Sequence, residues 1–348
     1  MMAVMPSSLV AFETQSSGNN LREVHSSLRH ECVYVTGGSG FFGRAFLEWL
    51  AAANRDLELQ ARAIVLTRDA ERFRWRLPHL AAESWLHLQL GDVRTVAAPA
   101  DRCGFLVHLA GEPHGPTYAS DPAGMITAMV AGAKRVLEIA QAIGVRRALL
   151  ISTGAVYGPQ PGCSLISEDA VARDEPAPSR RAYAQGKRQV EELFLQSGLD
   201  VVIARPFAFL GPGLHREAAF AASQFLHQAL SGGPIRVLHG NVTRSYLFST
   251  DLAEWLWTLL LRGVPGQAYN VGSEVPVTMA ELARLFAEQF QPARKVEVVA
   301  AGPSDRYVPS TRKAREAFGL KETIGLEEAV RATVAWHRGI TDAAPDRT

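Results

Sequence analysis

Tyr183 and Lys187 stand four residues apart in Tyr183-Ala-Gln-Gly-Lys187, a spacing that puts a phenol and an ammonium on one face of a helix. Some thirty residues upstream, the apolar run Ala148-Leu149-Leu150-Ile151 ends in Ser152 and Thr153, as a buried strand ends in a crevice. A phenol held beside a cation is a device for moving protons. An unperturbed tyrosine titrates near ~10, and moving it to about 7 takes roughly 4 kcal/mol of differential stabilisation of the phenolate. Alone, the pair reads as an ordinary exposed helix pair. It gains meaning only if the chain carries a second site for a reaction partner.

That second site is upstream. Cys32-Val33-Tyr34-Val35 reads as a short buried strand and runs into Thr36-Gly37-Gly38-Ser39-Gly40-Phe41-Phe42-Gly43, after which Arg44 to Ala53 carry apolar residues at helical spacing. Strand, glycine turn and helix in that order are the context of a dinucleotide fingerprint. Both Gly38-x-Gly40-x-x-Gly43 and Gly37-x-x-Gly40-x-x-Gly43 fit, and small residues let backbone N–H groups reach a pyrophosphate at the helix N-terminus. A positively charged nicotinamide would then join Lys187 in acidifying Tyr183.

The next strand, Ala63 to Thr67, ends where the adenosine ribose would lie. Asp69 suits the 2′-hydroxyl of NAD and Arg68 the 2′-phosphate of NADP, while Asp69 reads equally as a helix cap. NAD and NADP both stay open. Asp92, after the alternating Leu86 to Leu90, suits an adenine amino group or a turn. Leu109, Ala110 and Gly111 end the strand that starts at Phe105 and leave room for the cofactor backbone. His108 reads as a core histidine, and His114 as a surface loop residue with some reach towards a substrate.

The elements that must position these groups follow in order. Pro122 opens a helix whose stripe is Ile126, Met129, Ala133, Val136, Leu137 and Ala140, and Gly144 stops it. Gly158 to Ser179 reads as a substrate-side flap. Val190 and Phe194 continue the stripe of Tyr183 and Lys187. Val201 to Ala204 is a sixth parallel-type strand, broken by Arg205-Pro206. Beyond it the strand–helix alternation gives way to a helix from about Glu217 to Leu230, a strand near Ile235 to Val237, a helix from Leu252 to Leu261, and Tyr269-Asn270-Val271-Gly272. The expected fold is α/β, a Rossmann-type doubly wound parallel sheet with a smaller C-terminal substrate-binding lobe. Residues 1–30 are expected to be a flexible extension, 31–205 the dinucleotide-binding domain, 206–340 mainly the substrate lobe with segments near 240–275 returning to the sheet, and 341–348 a tail.

Composition narrows the function class. The 348 residues carry a formal net charge of +1, which favours neither nucleic acid nor an anionic membrane as partner. Cys32, Cys103 and Cys163 lack metal-ligand spacing and cannot all pair, so no metal is expected and a reducing cytoplasm is. No apolar run reaches the ~18–20 residues of a membrane span. The first thirty residues lack the basic and apolar blocks of a signal peptide.

Read together, Thr36-Gly-Gly-Ser-Gly-Phe-Phe-Gly43, His108-Leu-Ala-Gly111, Ser152-Thr-Gly-Ala-Val-Tyr-Gly158, Tyr183-x-x-x-Lys187, Arg205-Pro206, Gly211-Pro212, Arg244-Ser-Tyr-Leu-Phe and Tyr269-Asn-Val-Gly272 resemble the extended short-chain dehydrogenase/reductase superfamily. Within it the pattern is similar to the NAD-dependent epimerases and dehydratases of nucleotide sugars, from about Cys32 to Gly339. The resemblance implies an enzyme with Thr153 holding the sugar hydroxyl, Tyr183 as general base, and Lys187 binding the nicotinamide ribose. It implies a cofactor site of Gly37, Gly40, Phe41, Phe42, Gly43, Arg68, Asp92, Val93, Leu109, Ala110, Gly111 and Pro206 besides Tyr183 and Lys187. Arg244, Asn270 and Arg306 would hold the diphosphate of a nucleotide-diphosphate sugar. A homodimer through a four-helix bundle is implied as well, with Ala128, Ala131 and Gly132 on the helix Ala123–Ala142 allowing close approach.

Three departures matter. Dehydratases of this kind carry an Asp-Glu pair after the threonine, where this chain has Gly154 and Ala155, so elimination would need another carboxylate such as Glu112 or Glu168. Met129 and Ala208 replace asparagines often found in the superfamily. The expected activity is a nucleotide-sugar epimerase or unusual dehydratase working through a transient keto sugar with internal hydride recycling. The alternatives are an NADPH-dependent keto-sugar reductase and a non-catalytic dinucleotide sensor.

Overall fold

Seven parallel strands form one sheet in the computed structural model, which describes residues 27–111, 121–216, 218, 220–302 and 305–341. They are β1 (Cys32–Thr36), β2 (Arg62–Thr67), β3 (Leu86–Leu90), β4 (Phe105–His108), β5 (Arg147–Ile151), β6 (Asp200–Pro206) and β7 (Ala268–Val271). Their spatial order is β3-β2-β1-β4-β5-β6-β7, the doubly wound arrangement expected of the strand–helix alternation. The order reverses between β1 and β4, where Thr36 pairs with His108. Ligands of such sheets bind beyond the strand ends at that switch point.

Side-chain alternation divides the strands between two cores. Val33, Val35, Leu149 and Ile151 point into one, while Tyr34, Ala148 and Leu150 point into the other, as the period of two demands of strands covered on both faces. The first core packs under α1 (Phe41–Leu57) and the later helix Ser249–Arg262, where the rings of Phe46 and Trp257 stack 4.0 Å apart. The second lies under a helix running Pro122–Ile143 and another running Pro178–Leu195. With a short helix, α2 (Ala70–Arg76), after β2, the first of these two becomes α3 and the second α4. Asp121 caps α3, and Gly144 ends it at φ 78°.

A third core is built from Ile235, Val237, Phe225, Leu282, Phe286 and Val330. It belongs to the chain that follows β6, apart from β7, which returns to the main sheet beside β6. The helix expected from about Glu217 begins instead at Ala221, α5 (Ala221–Leu230). Gly211 and Gly213, at φ 146° and 80°, keep the approach to it out of helical geometry; Glu217 itself lies outside the described residues. So do Glu112 and His114.

Candidate active site

The switch point is held by one threonine. Thr36 Oγ1 is 2.8 Å from His108 Nδ1 and accepts from the Ala110 N–H at 3.2 Å, while the Thr36 carbonyl accepts from Leu109 at 3.1 Å. His108 stacks on Phe194, and burial, with Lys187 nearby, holds its imidazole down to about 3. It is a neutral core residue, as its place inside the strand implied.

These bonds press Leu109–Gly111 against the glycine turn. Gly37 has φ 74°, and a Cβ there would lie 2.7 Å from the Ala110 nitrogen. At Gly43 a Cβ would run into the Gly38 Cα. α1 starts from Gly40 with no side-chain cap and no acid in its first turn, so its first N–H groups are left for an anion. The cradle fits a dinucleotide pyrophosphate. Phe42 packs edge-on against Phe209 and Phe41 against Phe42, so their rings are spent on packing and only their backbone joins the turn. Pro206 ends β6, buried and paired with Val271.

At the adenosine end the structure separates the candidates. Asp69 accepts from the Arg72 N–H at 2.8 Å and caps α2, which leaves Arg68 exposed beside the end of β2. Asp92 is gripped by Arg94 through backbone and guanidinium at 2.8–3.0 Å, which pulls its carboxyl down to about 2. Val93 packs against α3, 3.2 Å from where a Gly132 Cβ would stand.

Thr153, Tyr183 and Lys187 converge beyond β5. Thr153 starts the short 3₁₀ turn Gly154–Tyr157, its Oγ1 accepting from the Ala155 N–H at 3.2 Å. Burial pushes the Tyr183 phenol up to about 12, with the nearby Thr153 hydroxyl pulling the other way. Lys187 is 6% exposed, donates to the Ile151 carbonyl at 2.9 Å, and lies 6.0 Å from the Tyr183 ring centroid. Burial brings its ammonium down to about 8, with Glu191 opposing. A Cβ on Gly111 would sit 3.1 Å from the Lys187 Nζ, so the glycine keeps a place open beside the ammonium. Desolvation thus dominates both groups, and the phenolate of Tyr183 needs the charge of an oxidised nicotinamide more than the spacing alone suggested.

Under these residues runs a buried polar frame. Arg205 meets Glu191 in two hydrogen bonds of 3.0 and 2.7 Å and also donates to the Tyr157 hydroxyl at 3.0 Å. Tyr157 donates to Asn270 Oδ1 at 2.7 Å, and the Asn270 amide donates to the carbonyls of Ile166 and Ser310. Asn270 is fully buried and its polar atoms are all engaged, so it braces the floor and has none to offer a diphosphate. Glu168, weighed as a substitute acid, accepts from the Asn270 backbone at 2.8 Å and is part of the same frame.

Two short strands carry the arginines expected to hold a substrate. Thr243–Arg244 and Arg306–Tyr307 pair in parallel with Arg244 opposite Tyr307, so these two share a face and Arg306 takes the other. Arg306 accordingly turns away and donates to the Ser164 carbonyl at 2.6 Å. Arg244 stays on the site side, paired with Asp305 at 2.7 Å and 5.6 Å from the Tyr307 ring centroid.

Tyr307 is the residue that sequence reading missed. Its hydroxyl occupies the space that a Gly154 Cβ would take, and its ring packs 4.4 Å from that of Phe207. The Arg205–Glu191 pair was missed too. Glu191 continues the face of Lys187 by one turn, which was the one available signal; nothing near Tyr307 marks it.

Comparison with known proteins agrees with this geometry. Residues 33–272 match the model of the NAD dependent epimerase/dehydratase family. UDP-glucuronic acid decarboxylase 3 of Arabidopsis thaliana is 29% identical over 311 residues, covering 86% of each chain. The chain also resembles the solved dTDP-glucose 4,6-dehydratase of Streptomyces venezuelae with NAD bound, at 25% identity and TM-score 0.76 over 88% of this chain and 97% of that one. An epimerase from Methanothermobacter thermautotrophicus shares the fold at TM-score 0.78 and 22% identity, over 93% and 96%. With its glycine cradle, its Thr153–Tyr183–Lys187 constellation and a family match across most of its length, the chain belongs to the NAD dependent epimerase/dehydratase family of extended short-chain enzymes.

Proposed function

We propose that the chain acts on a nucleotide-diphosphate sugar, oxidising one sugar hydroxyl to a ketone, inverting a carbon beside it, and returning the hydride. The bound cofactor, NAD or NADP, supplies the hydride acceptor and a positive charge. Thr153 orients the sugar hydroxyl, Tyr183 takes its proton, and Lys187 holds the ribose from below while its charge favours the phenolate. Arg244 faces the diphosphate. The observation that carries the reading is the disposition of the carboxylates: among the described residues, Glu191 is bound to Arg205, Glu168 to the Asn270 backbone and Asp305 to Arg244. Dehydration needs an acid to expel hydroxide, whereas inversion next to a ketone passes the α-proton from one face to a base and takes a proton back from water on the other.

A second reading, loss of carbon dioxide from a keto-uronate, also needs no such acid, and the likeness to UDP-glucuronic acid decarboxylases favours it. Incubation of a nucleotide-sugar panel in deuterium oxide with mass-spectrometric detection separates the readings. Deuterium uptake without mass loss supports inversion, loss of carbon dioxide supports the second reading, and loss of water overturns both.

The assembly we propose is a homodimer in the cytoplasm, joined through α3 and α4, which lie side by side on one face of the sheet. Gly132 is engaged inside the subunit against Val93, so the close approach falls to Ala128 and Ala131. No helix among the described residues is long and apolar enough to cross a membrane.

A further inference from the structure

Cys32 and Cys103 stand 71 residues apart in the chain, yet their sulfurs lie 2.6 Å apart, in hydrogen-bond contact with either able to donate. The sheet brings them together. β1 and β4 are parallel neighbours with Val33 opposite Phe105, so Cys32 opens its strand beside the segment that leads into β4. Both side chains point into the second core, 3% and 1% exposed. Adjacent strands run about 4.8 Å apart, inside the Cα separation that a disulfide spans.

We infer that Cys32 and Cys103 form a redox modification site, at which hydrogen peroxide converts two thiols to a disulfide that staples β1 to the entry of β4. The Cys32 sulfur attacks peroxide, which gives a sulfenic acid and one water. The Cys103 sulfur then attacks the Cys32 sulfur, and its proton leaves with the hydroxide as a second water. Both sulfurs are oxidised and one peroxide is reduced. A buried thiol is ordinarily inert, but here the bond from Cys103 holds the Cys32 thiol below its ordinary value against burial, and Cys103 is held far above its own. Cys32 is accordingly the attacking thiolate and Cys103 the resolving thiol. The path inward is short, since Asp101 and Arg102, just before Cys103, are exposed. In a reducing compartment the pair rests as thiols. The glycine turn and the Thr36–His108 contact lie at the opposite ends of the same two strands, so the staple strengthens the frame of the cradle without touching it.

The test uses the full chain carrying Cys163→Ser, which removes the exposed third thiol and leaves the pair alone. Peroxide-treated protein is denatured, alkylated and mapped by mass spectrometry. A crosslinked peptide joining Cys32 to Cys103, lost on adding dithiothreitol, is expected. The thermal unfolding midpoint should rise by roughly 5 °C because the closed loop is long, and titration with NAD and NADP should show affinities unchanged by peroxide. Adding Cys103→Ala should abolish the rise; each protein is compared with and without peroxide, so a core variant that starts less stable still reports. Two alkylated thiols after peroxide, a Cys32 sulfinic acid without a crosslink, or a crosslink that leaves the midpoint unmoved or weakens the dinucleotide overturns the inference.

Discussion

Lys187 donates from Nζ to the carbonyl oxygen of Ile151 at 2.9 Å, tying α4 to the last residue of β5. The bond fixes the ammonium beneath Tyr183 and opposite Gly111. It also keeps a charge out of water: the side chain is 6% exposed and its ammonium is down at about 8. Function and stability therefore pull in opposite directions at this residue.

The first prediction follows from that conflict. With a folded value of about 8 against 10.5 for the free group, the unfolded chain binds the proton more tightly. The cost to stability is full below about pH 8 and fades as the pH rises towards that of the free group. Lys187→Met should therefore be inactive yet more stable than the parent at pH 7, by about 2 kcal/mol once the lost Ile151 bond is allowed for. Urea denaturation at pH 7 and at pH 10 should show the gain shrinking. A variant less stable than the parent at pH 7 would contradict the account.

Tyr183→Phe should lose turnover while binding the dinucleotide nearly as well as the parent. The change removes a proton acceptor and leaves Lys187, Gly111 and the glycine turn in place. Calorimetry with NAD and NADP measures the binding, and retained activity would exclude Tyr183 as the base.

Arg205→Ala should be among the most destabilising single changes. It strands Glu191, whose side chain is 8% exposed, and strips a donor from Tyr157. Breaking a buried pair from one side costs about 3–5 kcal/mol. Arg205→Met combined with Glu191→Leu, which removes both charges, should recover most of that loss in the same denaturation experiment. No recovery would mean that the pair is not what the substitution broke.

Arg244→Lys should weaken a nucleoside-diphosphate ligand and spare the dinucleotide. A guanidinium held by Asp305 keeps a planar fork that an ammonium cannot reproduce, and the lost charge-assisted bond is worth roughly ten- to a hundred-fold in affinity. Titration of UDP, TDP and NAD separates the cases. Equal weakening of all three would make Arg244 a support of the fold.

If α3 and α4 form the subunit contact, sedimentation at micromolar concentration should show a dimer that Ala128→Arg converts to monomer. A parent that sediments as a monomer would refute the contact.

The local chemistry was legible in the chain because each piece is a short-range pattern. A strand running into Gly37, Gly40 and Gly43, hydroxyls after Ile151, and a phenol four residues before an ammonium depend on neighbours in sequence, and backbone geometry then leaves little choice. The alternation of strands with helices foretold a parallel sheet for the same reason. What only the tertiary structure decided is which distant side chains share a face or a hydrogen bond. Arg306 turned away because strand register gives Tyr307 the face of Arg244. Asn270, polar and buried, was claimed by Tyr157, Ile166 and Ser310, since a buried amide must satisfy its own donors and acceptor before it can serve a ligand. The Tyr307 hydroxyl sits where a side chain on Gly154, far away in sequence, would stand, and no spacing rule connects residues that meet solely through packing.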